Sequence, residues 1–371
     1  MKLLIFEWLT GGGLWQGTKT CSPDHSEPSN ANQPPAESSA SSVEISSDSI
    51  GENSMSQQGL AMLMAVTTDF LDAGIEVVTF VDSRLEIFDH PKLKKVSISS
   101  ADELKTNLAE YSQKTNHVIL IAPESNSCLL DCIQSLGPMQ HKLISPDLEF
   151  ATIASCKQTT ALRLEAATID LFPSGMLVSH FLAGTKRFDH PGNQVVLKPI
   201  DGAGSENVYL ISDWDNSKCH NSAAFAEQRM ELLEPLKHVW QHKPEGYRIE
   251  AFVSGTPVSV SLLCGASDSQ ILAPTIQVFD AQPFGEYVKA ETDVPADISL
   301  RAIQLATKVV NALPKTRGYI GLDMVISDQS SEEDVLIEIN PRMTMSYLQL
   351  RELYPGLAMS MFKKAVEGKK K

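Results

Sequence analysis

Val335-Leu336-Ile337-Glu338-Ile339-Asn340-Pro341-Arg342 decides how this chain reads, because it sets one carboxylate and one side-chain amide in an otherwise apolar run. Strand side chains alternate between faces, so Glu338 and Asn340 are expected on one side and Val335, Ile337 and Ile339 on the other. A second apolar run, Tyr319-Ile320-Gly321-Leu322-Asp323-Met324-Val325-Ile326, carries Asp323. The polar segment 327–334 is expected to be a hairpin connection that brings Asp323 beside Glu338 and Asn340. Three side chains offering only oxygen suit Mg²⁺ shared with substrate phosphates, and do not suit zinc. A polar face on a solvated edge strand explains the same pattern equally well at this point.

Working outward, 371 residues of which 42% are hydrophobic can build two or three ordinary cores. The excess of 46 acidic over 31 basic residues, a net charge of −15, opposes general affinity for nucleic acid or anionic membrane. An anionic small substrate would need a local basic pocket. The six cysteines (Cys21, Cys128, Cys132, Cys156, Cys219, Cys264) form no CxxC pair and have no histidines at zinc spacing, which fits a reduced, cytoplasmic setting. Glu7 interrupts the apolar start and no small-residue cleavage site follows, so no signal peptide is expected. No run of 18 apolar residues exists, so no membrane span is expected. The closing Gly368-Lys369-Lys370-Lys371 reads as a frayed, solvated tail.

A first strand at 2–8 stops at Thr10-Gly11-Gly12-Gly13. Segment 17–54 is rich in Ser, Pro, Asn and Glu and cannot bury enough apolar surface to offset its ordering entropy, so a disordered insertion is expected there. It is either a lid or a tolerated surface insertion. Residues 59–71 have a helical period stopped by Ala73-Gly74, and 75–81 forms a strand. Residues 117–122 form another strand, and 128–136 a short helix with Cys128 and Cys132 on one face. That rhythm indicates an open α/β domain over 1–145. Beyond it, a helix at 148–164 and a strand at 176–178 are expected, then strands at 194–198 and 207–211 around a glycine loop. A polar helix at 222–241, strands at 248–253 and 256–264, the two ligand-bearing strands and a helix at 359–366 follow.

Val195-Val196-Leu197-Lys198-Pro199-Ile200-Asp201-Gly202-Ala203-Gly204-Ser205 puts a lysine at a strand end, directly before a loop of small residues. Small residues let backbone N–H groups approach phosphate oxygens, and a lysine at the base offsets their charge. This is not a Walker A loop, since the GxxxxGK[ST] order is missing and a strand, where a helix is required, follows. An ordinary hairpin turn is the plainer explanation of the motif taken alone.

Together, the strand-end Lys198, the glycine loop, a later Glu250-Ala251-Phe252-Val253 segment and the terminal Asp, Glu, Asn set resemble the ATP-grasp superfamily. The resemblance covers 146 to the C-terminus. It implies an α/β (α+β) fold with an open pre-ATP-grasp domain over 1–145, followed by a two-lobed ATP-grasp domain with lobes at 146–253 and 254–371. It further implies that Lys157 and Lys198 contact ATP phosphates and that Gly202, Gly204 and Ser205 cover them. Glu250 and Val253 correspond to the segment that holds adenine, and Asp323, Glu338 and Asn340 to ligands of Mg²⁺, with Mn²⁺ as an alternative ion. Arg342 corresponds to a phosphate or acyl-phosphate clamp, where a lone arginine would otherwise read as a surface ion pair. Cys156 stands where an aspartate is usual, and Pro257 where many members carry a carboxylate for the ribose.

Within the superfamily, Ile5 to Gly13, Gly59 to Gly74, Gly255-Thr256-Pro257-Val258-Ser259-Val260-Ser261-Leu262 and Ile339 to Tyr347 resemble the tyramine–glutamate ligases and related proteins of methanofuran biosynthesis. That implies an ATP-dependent carboxylate–amine ligase acting through an acyl phosphate on a small carboxylate and a small amine, with a homodimer as the expected assembly. Asp280, Glu286, Tyr287 and Lys289 are candidate substrate contacts, and Gly11 to Gly13 form either a tight turn or an acceptor site. A small-molecule kinase and a non-catalytic ATP-sensing module are the rival readings.

Overall fold

The computed structural model describes residues 1–16, 54–167, 171–188, 192–202, 204, 206–281, 284–328 and 334–367. The 17–54 insertion, apart from Ser54, and Ser205 of the glycine loop lie outside the described residues, as do Gly368 to Lys371.

The first layer contains β1 (Lys2–Glu7), α1 (Ser54–Asp72), β2 (Glu76–Asp82), β3 (Leu93–Ile98), α2 (Ala101–Lys114), β4 (His117–Ile121) and α3 (Cys128–Ser135). Its sheet is parallel with order β3-β2-β1-β4. Both faces are covered, which is why β1 reads as the continuous apolar run Leu3-Leu4-Ile5-Phe6, wholly buried. Leu3 and Ile5 pack with Val66 and Phe70 of α1, and Leu4 and Phe6 with Leu104, Leu108 and Leu129 of α2 and α3. Strand order reverses between β1 and β4, so the loops after these two strands flank the crevice where open α/β sheets bind ligands.

Next come α4 (Leu148–Ala154) and α5 (Lys157–Ala166). The single helix expected at 148–164 is therefore two. Cys156 is extended (φ −120, ψ 112), and the Lys157 N–H donates to the Ile200 carbonyl at 2.7 Å rather than to the previous turn. The break makes Lys157 the first residue of α5 and ties it to the glycine loop.

The second sheet, antiparallel with order β5-β8-β6-β7, uses β5 (Gly175–Leu177), β6 (Val195–Pro199), β7 (Tyr209–Ile211) and β8 (Tyr247–Ala251). It packs with α6 (Val178–Ala183), α7 (Ala226–Leu233) and α8 (Lys237–Trp240). The polar helix expected at 222–241 is interrupted by a 3₁₀ turn at Glu234–Leu236, where Pro235 has no N–H for the helical ladder.

The third sheet, order β12-β11-β9-β13-β14 with β10 on β9, comprises β9 (Gly255–Cys264), β10 (Ser269–Ile271), β11 (Thr275–Phe279), β12 (Tyr287–Glu291), β13 (Gly318–Ser327) and β14 (Val335–Asn340). Between β12 and β13, α9 (Ala296–Ala312) buries Ala302, Leu305, Ala306 and Val309 against Val260, Leu262, Leu322 and Met324. The chain ends with α10 (Tyr347–Leu353) and α11 (Leu357–Val366), which return to the first sheet: Tyr347, Met361 and Phe362 share one core with Leu3, Ile5 and Val66. Among the described residues no helix is long and apolar enough to cross a membrane.

A candidate nucleotide and metal site

β6 and β8 pair so that Lys198 lies opposite Arg248 and Val196 opposite Glu250. Lys198 Nζ meets Glu250 Oε2 at 2.5 Å, and Arg248 Nε donates to Glu250 Oε1 at 2.5 Å. All three are buried, and the Phe172 ring lies 5.5 Å from each cation. Buried charges of this kind persist only when paired, and Glu250 is the shared partner. Burial and the neighbouring Lys157 charge push the Lys198 ammonium below the ordinary lysine range, despite the attraction of Glu250.

Lys157 reaches in from the start of α5, with Nζ 2.9 Å from Glu338 Oε2 and donating to the Gly202 carbonyl at 3.3 Å. Burial alone would depress its pKa, but the Glu338 carboxylate raises it. Gly204 sits at φ +70, a left-handed conformation that favours glycine.

β13 and β14 pair antiparallel with Asp323 opposite Glu338, and Asn340 Nδ2 donates to Asp323 Oδ2 at 2.9 Å. One expectation fails here. The register shifts between Asp323 and Met324, leaving Ile337 as an extra residue in β14. Ile337 therefore lines the cavity beside Glu338 and Asn340, while Leu336 and Ile339 enter the core. The bulge presents two consecutive residues to one side, which a strict alternation forbids.

Burial and the adjacent Glu338 charge push Asp323 up to about 7. Glu338 moves the other way: burial would raise it, but Lys157 holds it below the usual carboxylate range. Asp323 Oδ1 is buried and meets no donor in good hydrogen-bond geometry among the described residues, with the Ser259 hydroxyl as its polar neighbour across the sheet. An orphaned carboxylate oxygen beside a second carboxylate and an amide fits a hard divalent cation such as Mg²⁺ or Mn²⁺. Among the described residues no group of three or more His, Cys, Asp or Glu side chains has metal-site geometry, so this mixed set is the candidate.

Arg342 donates to Glu124 Oε2 from Nε at 3.2 Å and Nη2 at 2.9 Å, and from Nη2 to Asn340 Oδ1 at 3.4 Å. Glu124 belongs to the loop after β4, so the first layer supplies a partner to the third sheet. Sequence reasoning missed it, because a glutamate in Pro123-Glu124-Ser125-Asn126 carries no motif. The same loop holds Asn126 at φ 52 and donates the Asn126 N–H to Asp201 Oδ2 at 3.2 Å.

These groups face one cavity of about 590 Å³, a size suited to a small ligand. Lys157, Lys198, Gly202, Gly204, Glu250, Val253, Asp323, Glu338, Asn340 and Arg342 all line it. Val196 and Leu210 add an apolar wall near Val253, and Pro257 is part of the lining as well. Of the candidate substrate contacts, only Tyr287 reaches it. Lys289 pairs with Glu291 at 2.9 Å, and Asp280 accepts the Glu286 N–H at 2.7 Å within its own turn. In the Gly11 to Gly13 loop, a Cβ would lie 2.6 Å from the Phe6 ring, 2.4 Å from Ile98 and 2.3 Å from the Trp8 ring, so these glycines serve close packing in a turn.

A profile of the ATP-grasp domain matches residues 157–346, and one of the pre ATP-grasp 3 domain matches residues 75–149. The chain belongs to the ATP-grasp family. It is 23% identical over 315 residues to a tyramine–L-glutamate ligase from Methanocaldococcus fervens, covering 83% of this chain and 87% of that one. A solved structure from Archaeoglobus fulgidus assigned to the ATP-grasp superfamily superposes with a TM-score of 0.63 at 17% identity, over 98% of this chain and 88% of the other. An L-amino acid ligase from Bacillus licheniformis gives a TM-score of 0.59 at 15% identity, over 81% and 71%. The ATP-grasp fold thus accounts for the two sheets that enclose the cavity, and the pre-ATP-grasp layer for the parallel sheet that delivers Glu124.

Proposed function

We propose that this ATP-grasp protein is an ATP-dependent carboxylate–amine ligase that forms a C–N bond through an acyl phosphate. In this reading glutamate is the carboxylate and tyramine or a related amine the acceptor, within cytoplasmic biosynthesis of a methanofuran-type C1 carrier. The observation that carries it is the convergence of Lys157, Lys198 and Arg342 with the oxygen set Asp323, Glu338 and Asn340 in one cavity.

Lys157 and Lys198 bind the phosphates, with Gly202 and Gly204 covering them and Glu250 holding Lys198 in place. Val253, with Val196 and Leu210, contacts the adenine. A divalent ion held by Asp323, Glu338 and Asn340 would supply further neutralisation of phosphate charge. The substrate carboxylate oxygen attacks the γ-phosphorus as the bond to ADP breaks, and Arg342 offsets the charge of the acyl phosphate. The amine nitrogen then attacks the carbonyl, the carbonyl carbon–phosphate oxygen bond breaks, phosphate leaves, and the amine proton passes to solvent. The enclosed cavity holds the reactants together and limits hydrolysis of the acyl phosphate.

A screen of ADP release across carboxylates crossed with amines, read with product mass, tests this. Amine-dependent ADP with a new amide mass is expected. ADP accumulating without an amide would replace the ligase with a kinase or an ATPase, and turnover that survives Glu338→Ala with every substrate would remove the metal assignment.

A further inference from the structure

Charge is segregated within the cavity. Its charged lining residues are Lys157, Lys198, Glu206 beside the glycine loop, Glu250, Asp323, Glu338 and Arg342, and none of them comes from β9, β11 or β12. Beyond Asp323 the lining becomes neutral: Ser259 on β9, Gln277 and Phe279 on β11, Tyr287 on β12, Thr344 before α10, and Gln58 from α1. Ser259 lies directly opposite Asp323 in the register, so the polar floor continues from the metal candidates across the sheet towards β12. Phe279 and Tyr287 meet edge to face at 6.4 Å, giving that end an aromatic wall. Gln58 Nε2 approaches the Tyr287 carbonyl at 3.5 Å and closes the end from the first layer.

Three buried hydroxyls here, those of Ser259, Thr344 and Tyr287, have no hydrogen-bond partner among the described residues, and Tyr287 is the one at the aromatic wall. Leaving such a group unsatisfied is costly, and a ligand that bonds it recovers the loss. A phenol keeps its proton at neutral pH, and burial and the charge of Asp323 raise the Tyr287 pKa further.

We infer that this neutral end is the acceptor subsite, and that it takes a primary amine whose tail is an uncharged aromatic ring bearing a hydrogen-bonding group, read by the Tyr287 hydroxyl. The assignment to the acceptor rests on the ligase reading above. An amino-acid donor carries charges beyond its reacting carboxylate, and these would be buried among neutral groups without partners. An arylalkylamine carries its one charge at the nitrogen, at the Asp323 end of the subsite, loses it with the proton before attack, and leaves an uncharged ring for the aromatic wall. Tyrosine would set its carboxylate beside its nitrogen, against the Asp323 and Glu338 carboxylates, where like charge opposes it.

The test is equilibrium binding of tyramine, phenethylamine and tyrosine to the full chain with Mg²⁺ and a non-hydrolysable ATP analogue, alongside ADP release with each amine. Tyramine should bind about 10-fold or more tighter than phenethylamine, the loss expected when a buried hydroxyl is left unpaired, and tyrosine should bind more weakly than either. Tyr287→Phe should bring tyramine down to the phenethylamine level. Equal binding of tyramine and phenethylamine by the wild-type chain, or binding of tyrosine as tight as tyramine, overturns the subsite and needs no variant to be read. Hydroxyl-selective binding without amine-dependent turnover would remove the ligase reading alone, whereas amide formation without that selectivity would remove the subsite alone.

Discussion

Asp323 Oδ1 is the side-chain oxygen on which the metal assignment turns, because it is buried with only the Ser259 hydroxyl as a polar neighbour while Oδ2 accepts from Asn340. Burial and Glu338 raise this acid from 3.8 to about 7. The native chain therefore holds a proton at Asp323 across that window, and a cation must displace it. Metal affinity should rise by about tenfold per pH unit up to pH ~7 and flatten above, with proton release below it. The sign for the metal-free chain is the reverse: ionising Asp323 is unfavourable in the fold, so its contribution to stability declines as pH rises through the same window. Calorimetry in two buffers of different ionisation enthalpy reads both proton release and affinity, and a pH-independent affinity would count against Asp323 as a ligand. Lys198→Met removes a buried cation and leaves Glu250 to Arg248 alone; nucleotide affinity should fall by about 10-fold to 100-fold, measured by titration with an ATP analogue. The candidate oxygen side chains and strand-end lysine could be picked out from the sequence by type, and the structure adds that they line one cavity. Glu124 could not be, because its meaning comes from Arg342, more than two hundred residues away.

Element boundaries followed the apolar pattern where a helix or strand was regular, and departed from it where a local contact overrode propensity. The break between α4 and α5 is one case, as both flanking segments fit a single helical period, yet Cys156 is extended and the Lys157 N–H bonds the Ile200 carbonyl. The bulge at Ile337 is another, because alternation cannot reveal an inserted residue. α9 carried a readable signal in Ala302, Leu305, Ala306 and Val309, spaced by three and four, although it was absent from the sequence expectations. α1 yields a prediction contrary to propensity. Alanine normally exceeds glycine in a helix by about 1 kcal/mol. A Cβ at Gly59, however, would lie 2.8 Å from the buried Glu7 carboxylate, which is held by the Thr10 N–H and hydroxyl. Gly59→Ala should destabilise the protein by about 1–3 kcal/mol, the usual cost of overpacking; an increased denaturation midpoint would contradict the contact.

At the scale of the molecule, the first sheet is not finished by its own helices. α11 seals it, with Phe362 packing edge to face on His117 at 5.1 Å, and α10 ties Tyr347 to Asp69 at 2.5 Å while Arg351 pairs with the same carboxylate. Phe362→Ala should cost about 3–5 kcal/mol, and probes in the first and third sheets should lose stability together in denaturant, since one core spans both. Separate transitions, with only the third sheet affected, would show that the layers fold independently. The pre-ATP-grasp layer and the rest of the chain are therefore coupled through both a shared core and the Glu124–Arg342 pair. The sequence by itself determined the alternation of strands and helices and, through the combined motifs that resemble the ATP-grasp superfamily, the expected fold and chemistry, because apolar period, glycine placement and residue type are local properties of the chain. Only the tertiary structure decided which side chains meet: the Lys157–Glu338 pair, the reach of Glu124, the cavity face of Ile337 and the neutral end beside Tyr287. Each depends on register and packing between segments far apart in the chain, which no local pattern specifies.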